Sequence, residues 1–295
     1  MILSQGKCGL SKCVTVYLVA MATADLLFVI TDVILSSSVR MYFRYSFVEI
    51  TPVCALTLIF SFAANDVSVW FTAAFTYDRF VAICCQSMKT KYCTAKMAAV
   101  ILATISVLSI SRCIPWWFTV EPFYIIDNVP WHCSSKSSFH DSGAWRAFES
   151  LQIIVTPCVP CFLILLLNVL TVRYILLASR FRRRLRCGSR ENHNDPEMKN
   201  RMKSITLLFS ISGSFLLLWT PGVMFYIYRQ IVKKYVIYDI NADYITVSTT
   251  RMLQTLSCCT NTCIYAVTQR KFREELKNAA KYPFSLIGKF NKLFN

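Results

Sequence analysis

About six times along this chain the sequence runs for roughly twenty residues or more with few charges, which is what a helix needs to cross the hydrocarbon of a bilayer. The runs extend approximately from Val14 to Leu35, Val53 to Ile83, Ala98 to Val120, Ala147 to Ala178, Ser204 to Tyr228 and Ile245 to Val267. Short polar segments with concentrated charge separate them. One soluble core of 295 residues has no use for a composition that is 55% hydrophobic and 16% charged, with a mean hydropathy of +0.45. The expected fold class is all-α, a polytopic membrane helix bundle with no separate soluble domain.

The net charge of +16 raises the question of nucleic acid. The positive residues are not interleaved with aromatics on a polar face; they sit beside the ends of apolar runs, so no nucleic acid is expected as a partner. Lys7 and Lys12 precede the first run, and Lys89, Lys91 and Lys96 lie between the second and third. Arg180 to Arg186 follows the fourth, and Arg270, Lys271, Arg273 and Lys277 follow the sixth. These are alternate loops, so the positive-inside rule puts all of them, and both ends of the chain, in the cytoplasm. The basic run Arg180 to Arg186 is expected to meet anionic membrane lipid. The remaining loops mix signs, with Glu121, Asp127, Lys136 and Asp141 in one and Lys233, Lys234, Asp239 and Asp243 in the other, and are expected outside.

Most of the fourteen cysteines fall inside apolar runs, as small hydrophobes do. The start, Met1 to Lys7, holds too short an apolar run for a signal peptide, and there is no Asn-x-Ser/Thr acceptor. His132, His140 and His193 lie in loops on different sides, without metal-ligand spacing, so an enzyme is not expected.

Each charge at the centre of a membrane helix costs roughly 2.5 to 3.5 kcal/mol on insertion scales, so intramembrane polar residues need partners or a function. The sequence has Asp25, Asp66, Asp78 with Arg79, Arg112, Arg251 and Asn261. Asp78-Arg79-Phe80 closes the second run, with Arg79 25 residues after Cys54, and Phe215 to Pro221 includes Trp219-Thr220-Pro221. Asn261-Thr262-Cys263-Ile264-Tyr265 ends the last run, Phe272 opens a short amphipathic stretch, and Leu18 to Leu26 includes Asp25. In order, polarity and spacing these segments resemble the Asp-Arg-Tyr, Trp-x-Pro and Asn-Pro-x-x-Tyr motifs, the second helix and the eighth helix of the rhodopsin-like G-protein-coupled receptors. The orphan branch of G-protein coupled receptor 139 is similar in Phe75 to Phe80 and in Tyr265 to Phe272.

The resemblance implies a seven-transmembrane receptor fold over residues 1–282, with about six spans present plus an amphipathic C-terminal helix, and a cytoplasmic tail at 283–295. It implies residence in the plasma membrane and a disulfide between Cys54 and Cys133. It implies an extracellular small-molecule or peptide ligand, an aromatic amino acid among them, and a heterotrimeric G protein inside. Arg79 would be the inner switch, held by Asp78 at rest and freed to meet the G protein and Tyr265, with Phe215, Trp219, Pro221 and Asn261 relaying the change.

Counting turns from these anchors, Ser61, Phe62, Asn65, Gln152, Trp219, Tyr226, Arg251 and Thr255 would line a ligand pocket. Arg251 would anchor a carboxylate or other acceptor, or else snorkel outward to Asp243 or Glu149. Asp25, Ser68, Ser257 and Asn261 occupy the positions that enclose a sodium ion in many relatives, and a water-filled polar cluster is the alternative. No other cofactor is expected.

Several residues depart from the pattern. The first helix of the family has no counterpart here, and poor folding with weak signalling is the expectation for a chain of this extent. Asn168 replaces a Tyr, Ile105 a Trp, Gln86 a Pro, and Arg201 stands where some receptors place the acid that locks Arg79, so raised basal activity is expected. A six-span channel or transporter, or a truncated non-signalling fragment, remains as an alternative, although neither a filter loop nor two similar halves is visible.

Overall fold

The computed structural model describes residues 11–43, 45–136, 142–185, 196–232, 240–268 and Arg273. All six apolar runs are helices. Helix α1 spans Lys12–Phe28, capped by Ser11, whose Oγ accepts the Val14 N–H at 3.4 Å. It continues as a wider π-helical stretch over Val29–Val39, in which the Ser37 and Ser38 hydroxyls each donate to the carbonyl five residues back, Asp32 and Val33, at 2.9 Å.

The central rod is α2, Thr51–Cys84, which begins with Pro52 in its first turn, where a missing N–H does no harm. At 34 residues it spans about 50 Å, and it packs against α1 and against three of the long helices that follow it. A short α3, Gln86–Tyr92, turns the chain into α4, Ala95–Cys113, whose cap is Thr94 accepting from Met97 N–H at 3.3 Å. The third run stops being α-helical at Ile114, where Pro115 opens a 3₁₀ stretch to Thr119.

Two strands follow, β1 Val120–Ile126 and β2 Val129–Ser135, paired antiparallel. The expectation of helices alone did not include this hairpin, because its strands show no strict alternation. Its signal was the turn: Asp127 and Asn128 both take positive φ, 49° and 62°, as a two-residue hairpin turn requires.

Helix α5 is assembled from Gly143–Ile153, a π-helical turn Ile154–Cys158 containing Pro157, and Val159–Leu185. Proline removes the N–H that a regular turn would use, and the widened turn absorbs the mismatch. Helices α6, Pro196–Val232 with Pro221 inside, and α7, Ile240–Thr268, complete the bundle. Five helices among the described residues are long and apolar enough to cross a membrane, and α7 is the more polar sixth. Large apolar side chains such as Leu26, Leu108, Phe162, Leu177 and Leu217 face outward while Asp25, Asp66, Asp78 and Arg79 are buried, the distribution suited to lipid.

Close approach of α6 and α7 depends on Gly222, the residue after the proline. A Cβ there would lie 2.6 Å from Thr250 Cγ2, a methyl on a stiff β-branched side chain that is itself buried. Gly222→Ala is expected to lower stability by about 1–3 kcal/mol through overpacking, and Thr250→Ser, which deletes the obstructing methyl, to recover most of that loss. Thermal unfolding of the two single variants and the double variant in detergent checks this; equal losses with and without the serine would show that the contact does not set the helix spacing.

Candidate functional site

The polar residues inside the bundle form levels along α2. At one end Asp78 and Arg79 are almost fully buried, with side chains 5% and 8% exposed, and form an ion pair. Arg79 Nε donates to Asp78 Oδ2 at 3.0 Å, and one terminal nitrogen of Arg79 donates to Ser204 Oγ on α6 at 3.4 Å. The other carboxylate oxygen of Asp78 accepts from the Cys13 thiol of α1 at 3.2 Å, and the Cys93 thiol donates to the Asp78 carbonyl at 3.6 Å. Burial and the nearby Asp78 charge push the Cys93 thiol up to about 11, which keeps it a protonated donor at neutral pH. The guanidinium also faces the Phe75 ring, 6.0 Å from its centroid. Ser204 was not anticipated as a partner; it lies nearly one turn beyond Arg201, whose side chain is outside the described residues.

One level up, Asp25 receives the Ser68 hydroxyl on one oxygen and the Asn261 amide on the other, the latter at 2.8 Å, so α1, α2 and α7 meet at one carboxylate. Ser257 is buried on α7, and the Cys258 thiol beside it donates to the Gln254 carbonyl of the same helix at 3.6 Å. The Asp25 carboxylate and the Ser68 hydroxyl are hard oxygen donors, the chemistry that suits a hard cation. Nearby, Phe215 and Trp219 stack at 5.3 Å and pack with Val69, Ala73 and Ile164, while Asn168, the replacement for the expected Tyr, exchanges hydrogen bonds with Ser212 and ties α5 to α6.

At the next level Asp66, 2% exposed, pairs with Arg112 of α4. The same Arg112 nitrogen donates to Thr156 Oγ1 in the π-helical turn of α5 at 3.0 Å, and Gln152 Nε2 donates to the Arg112 carbonyl at 2.9 Å. Both charges were visible in the sequence, but not that they face each other.

At the far end Cys54 and Cys133 are joined, as expected, across a sequence separation of 79. The β-hairpin is further held by Thr51 Oγ1 donating to the His132 carbonyl at 2.9 Å, by the hydrogen bond of His132 Nδ1 with the carboxylate of the fully buried Glu49, and by a bridge between Ile50 and Trp131. None of Glu49, His132 or Thr51 was singled out beforehand as part of this clamp.

The eight expected pocket residues take several different surroundings. Phe62 and Gln152 meet the Asp66–Arg112 level, Phe62 through Trp116 at 4.9 Å. Ser61 turns instead to α1, donating to Asp32 Oδ1 at 3.0 Å. Trp219 belongs to the core, Thr255 donates to the Arg251 carbonyl of its own helix, and Asn65 and Tyr226 are half-buried. Arg251 is exposed. A cavity of about 700 Å³ lies elsewhere, lined by Leu35, Val39, Tyr42, Phe43, Tyr45 and the Ser46–Val48 turn. The side chain of Tyr265, the eighth helix from Phe272, and the tail at 283–295 lie outside the described residues.

A bundle of membrane-crossing helices with a disulfide-tethered hairpin at one end and a buried Asp-Arg pair at the other is the build of an integral membrane receptor. Residues 2–265 match the profile described as "7 transmembrane receptor (rhodopsin family)", and the chain belongs to that family. Its relatives include "Atypical chemokine receptor 3" of Rattus norvegicus and of Mus musculus, each 24% identical over 286 residues, covering 95% of this chain and 73% of the relative. The narrower likeness to the G-protein coupled receptor 139 branch gains no support from these relatives. The protein is a multi-pass membrane receptor and not an enzyme.

Proposed function

We propose that this receptor sits in the plasma membrane with its disulfide end outside and its C-terminus in the cytoplasm, and that a ligand reaching the outer end is reported to a heterotrimeric G protein at the Arg79 end. The observation that carries this reading is the sequestration of Arg79: a buried arginine held by Asp78 on its own helix and by Ser204 on α6. A guanidinium tied at once to its neighbour and to another helix is a two-state element, since any outward movement of α6 removes Ser204 and frees the side chain. Pro221, with Phe215 and Trp219 stacked below it, supplies the flexible point about which the end of α6 swings. The hold from α6 is a neutral hydroxyl rather than a carboxylate, which favours measurable basal signalling.

The ligand is a small molecule or peptide of the extracellular side, an aromatic amino acid among the candidates, with Arg251 as one anchor for an acidic group. If Arg251→Ala left agonist potency unchanged, that anchor would be discarded. The basic run from Arg180 meets anionic lipid of the inner leaflet.

The test is nucleotide exchange on purified G protein heterotrimers by the full chain in lipid nanodiscs. Arg79→Ala is expected to reduce exchange to background, and Asp78→Asn to raise basal exchange severalfold because the guanidinium loses its charged partner. Exchange that is unaffected by both substitutions would remove Arg79 from the switch.

A sodium ion at Asp25, Ser68 and Ser257 is part of the same reading, with the ion neutralising a carboxylate that the described residues leave without a cationic partner. Replacing sodium by choline at constant ionic strength is expected to lower the melting temperature of the wild-type chain and to leave Asp25→Asn unmoved. At ten times its dissociation constant the ion contributes about 1.4 kcal/mol. Identical melting in the two salts would leave the cluster to water.

A further inference from the structure

Where the chain passes from the π-helical end of α1 to the start of α2, it folds around the cleft of about 700 Å³. Leu35 and Val39 come from the π-helical stretch, and Phe43, Phe47 and Val48 from the turn that follows. None of these is among the eight expected pocket residues. The lining residues carry no charge, and their side-chain polar groups are three hydroxyls, those of Tyr42, Tyr45 and Ser46. Ser46 Oγ accepts the Val48 N–H at 3.5 Å and keeps its own hydrogen to donate.

The described residues leave this cleft open: Tyr42, Phe43, Tyr45 and Phe47 are between 66% and 76% exposed. So much apolar surface on one short turn marks a place where something binds. The turn lies at the disulfide end, with Tyr45 meeting the Trp131 ring edge-on at 6.4 Å and Ile50 bridged to Trp131. A level just beyond the ends of two membrane helices is the boundary of hydrocarbon and water, where a molecule with an apolar body and a polar end is at home.

The lining chooses among such molecules. A charged head group would lose hydration against walls that hold no charge to compensate it. A flexible acyl chain gives up rotational freedom at every bond that it fixes, whereas a rigid fused ring gives up little. Aromatic faces pack on a flat apolar body, and a lone hydroxyl finds partners in the Tyr and Ser hydroxyls. The volume suits a single molecule of that size. Val39-Arg40-Met41-Tyr42-Phe43-Arg44 also has the order of aliphatic, tyrosine and basic residue proposed for cholesterol contact, and its Val39 and Tyr42 both line the cleft.

We propose that this cleft binds one sterol of the surrounding membrane, its ring system against the Tyr42, Phe43 and Phe47 rings and its hydroxyl bonded to a hydroxyl of the lining. The inference takes from the receptor reading only the residence in a sterol-containing membrane. It uses neither Arg251 nor the Asp25 cluster.

The probe is a cholestanol carrying a photoreactive diazirine on its ring system, added to the full chain in phosphatidylcholine nanodiscs. Labelled positions are mapped by peptide mass, without agonist or G protein, so failure here and failure of the Arg79 switch are separate results. Label is expected to concentrate within residues 35–48. Cholesterol should compete at least about tenfold better than its 3α-epimer epicholesterol, which misplaces the hydroxyl, and than oleic acid. The double variant Tyr42→Ala with Phe47→Ala changes two largely exposed side chains, is expected to melt like the wild type, and should lose label in this segment by about tenfold or more. Label spread evenly over the bundle, equal competition by epicholesterol or oleic acid, or undiminished labelling of the folded double variant overturns the proposal. The competition series uses the wild-type chain alone and decides the matter even if the variant does not fold.

Discussion

Cys133→Ser is expected to cost the receptor about 4 kcal/mol of stability. The bridge joins residues 79 apart in the chain. Removing a closed loop of that length from the unfolded ensemble accounts for about 4.5 kcal/mol on the loop-entropy estimate, with native contacts that survive the substitution lowering the observed figure. Those contacts are specific: the Thr51 hydroxyl on the His132 carbonyl, the Glu49–His132 pair and the Ile50–Trp131 bridge keep β2 near the start of α2. Cys54→Ser and the double serine variant should match the single loss, since one bond is being removed in each case. Cys93→Ser, at the opposite end, should fall within about 1 kcal/mol of wild type. Intrinsic tryptophan fluorescence during thermal unfolding follows all four, with Trp131 placed two residues from the bridge. A loss below about 1 kcal/mol for Cys133→Ser would mean that the hairpin contacts, not the bridge, hold this end together.

The second large effect is expected from Arg112→Leu, at about 3–5 kcal/mol, because it strands Asp66 as an uncompensated charge between helices. Asp66→Leu strands Arg112 in the same way, although Arg112 is the more exposed of the two at 21% and so loses less. The double leucine variant should be far closer to wild type than the sum of the singles, because apolar side chains then pack where two charges had been desolvated. Unfolding of the four proteins in detergent gives the coupling directly. Additive losses would show that each residue is stabilised by surroundings other than its partner, Thr156 for Arg112 foremost.

The existence and approximate place of each helix could be read from the chain alone, because hydrocarbon leaves backbone groups no partner but their own helix. The Asp78-Arg79 and Cys54 positions were equally legible, since spacing along a single helix places them at opposite ends of α2. Asp66 and Arg112 were recognised as intramembrane charges and then left unpaired; two opposite charges in separate spans are a signal that they meet, but not at what depth. Asp32 was not among the intramembrane charges singled out, and its contact with Ser61 accompanies the π-helical course of Val29–Val39. Counting turns put Arg251 and Thr255 toward a shared pocket, yet Arg251 is exposed and the Thr255 hydroxyl is spent on its own backbone.

Hydropathy, loop charge and motif spacing determined by themselves that this chain is a bundle of membrane helices and which family it resembles, because those properties act within one helix or between a helix and the bilayer. Which polar residues meet across helices was decided only by tertiary packing. Helix rotation and wide π-helical turns shift a side chain by tens of degrees, so neighbours on different rods, such as Asp25 with Asn261 or Asp66 with Arg112, follow from how the rods are set against one another and from no count along the chain.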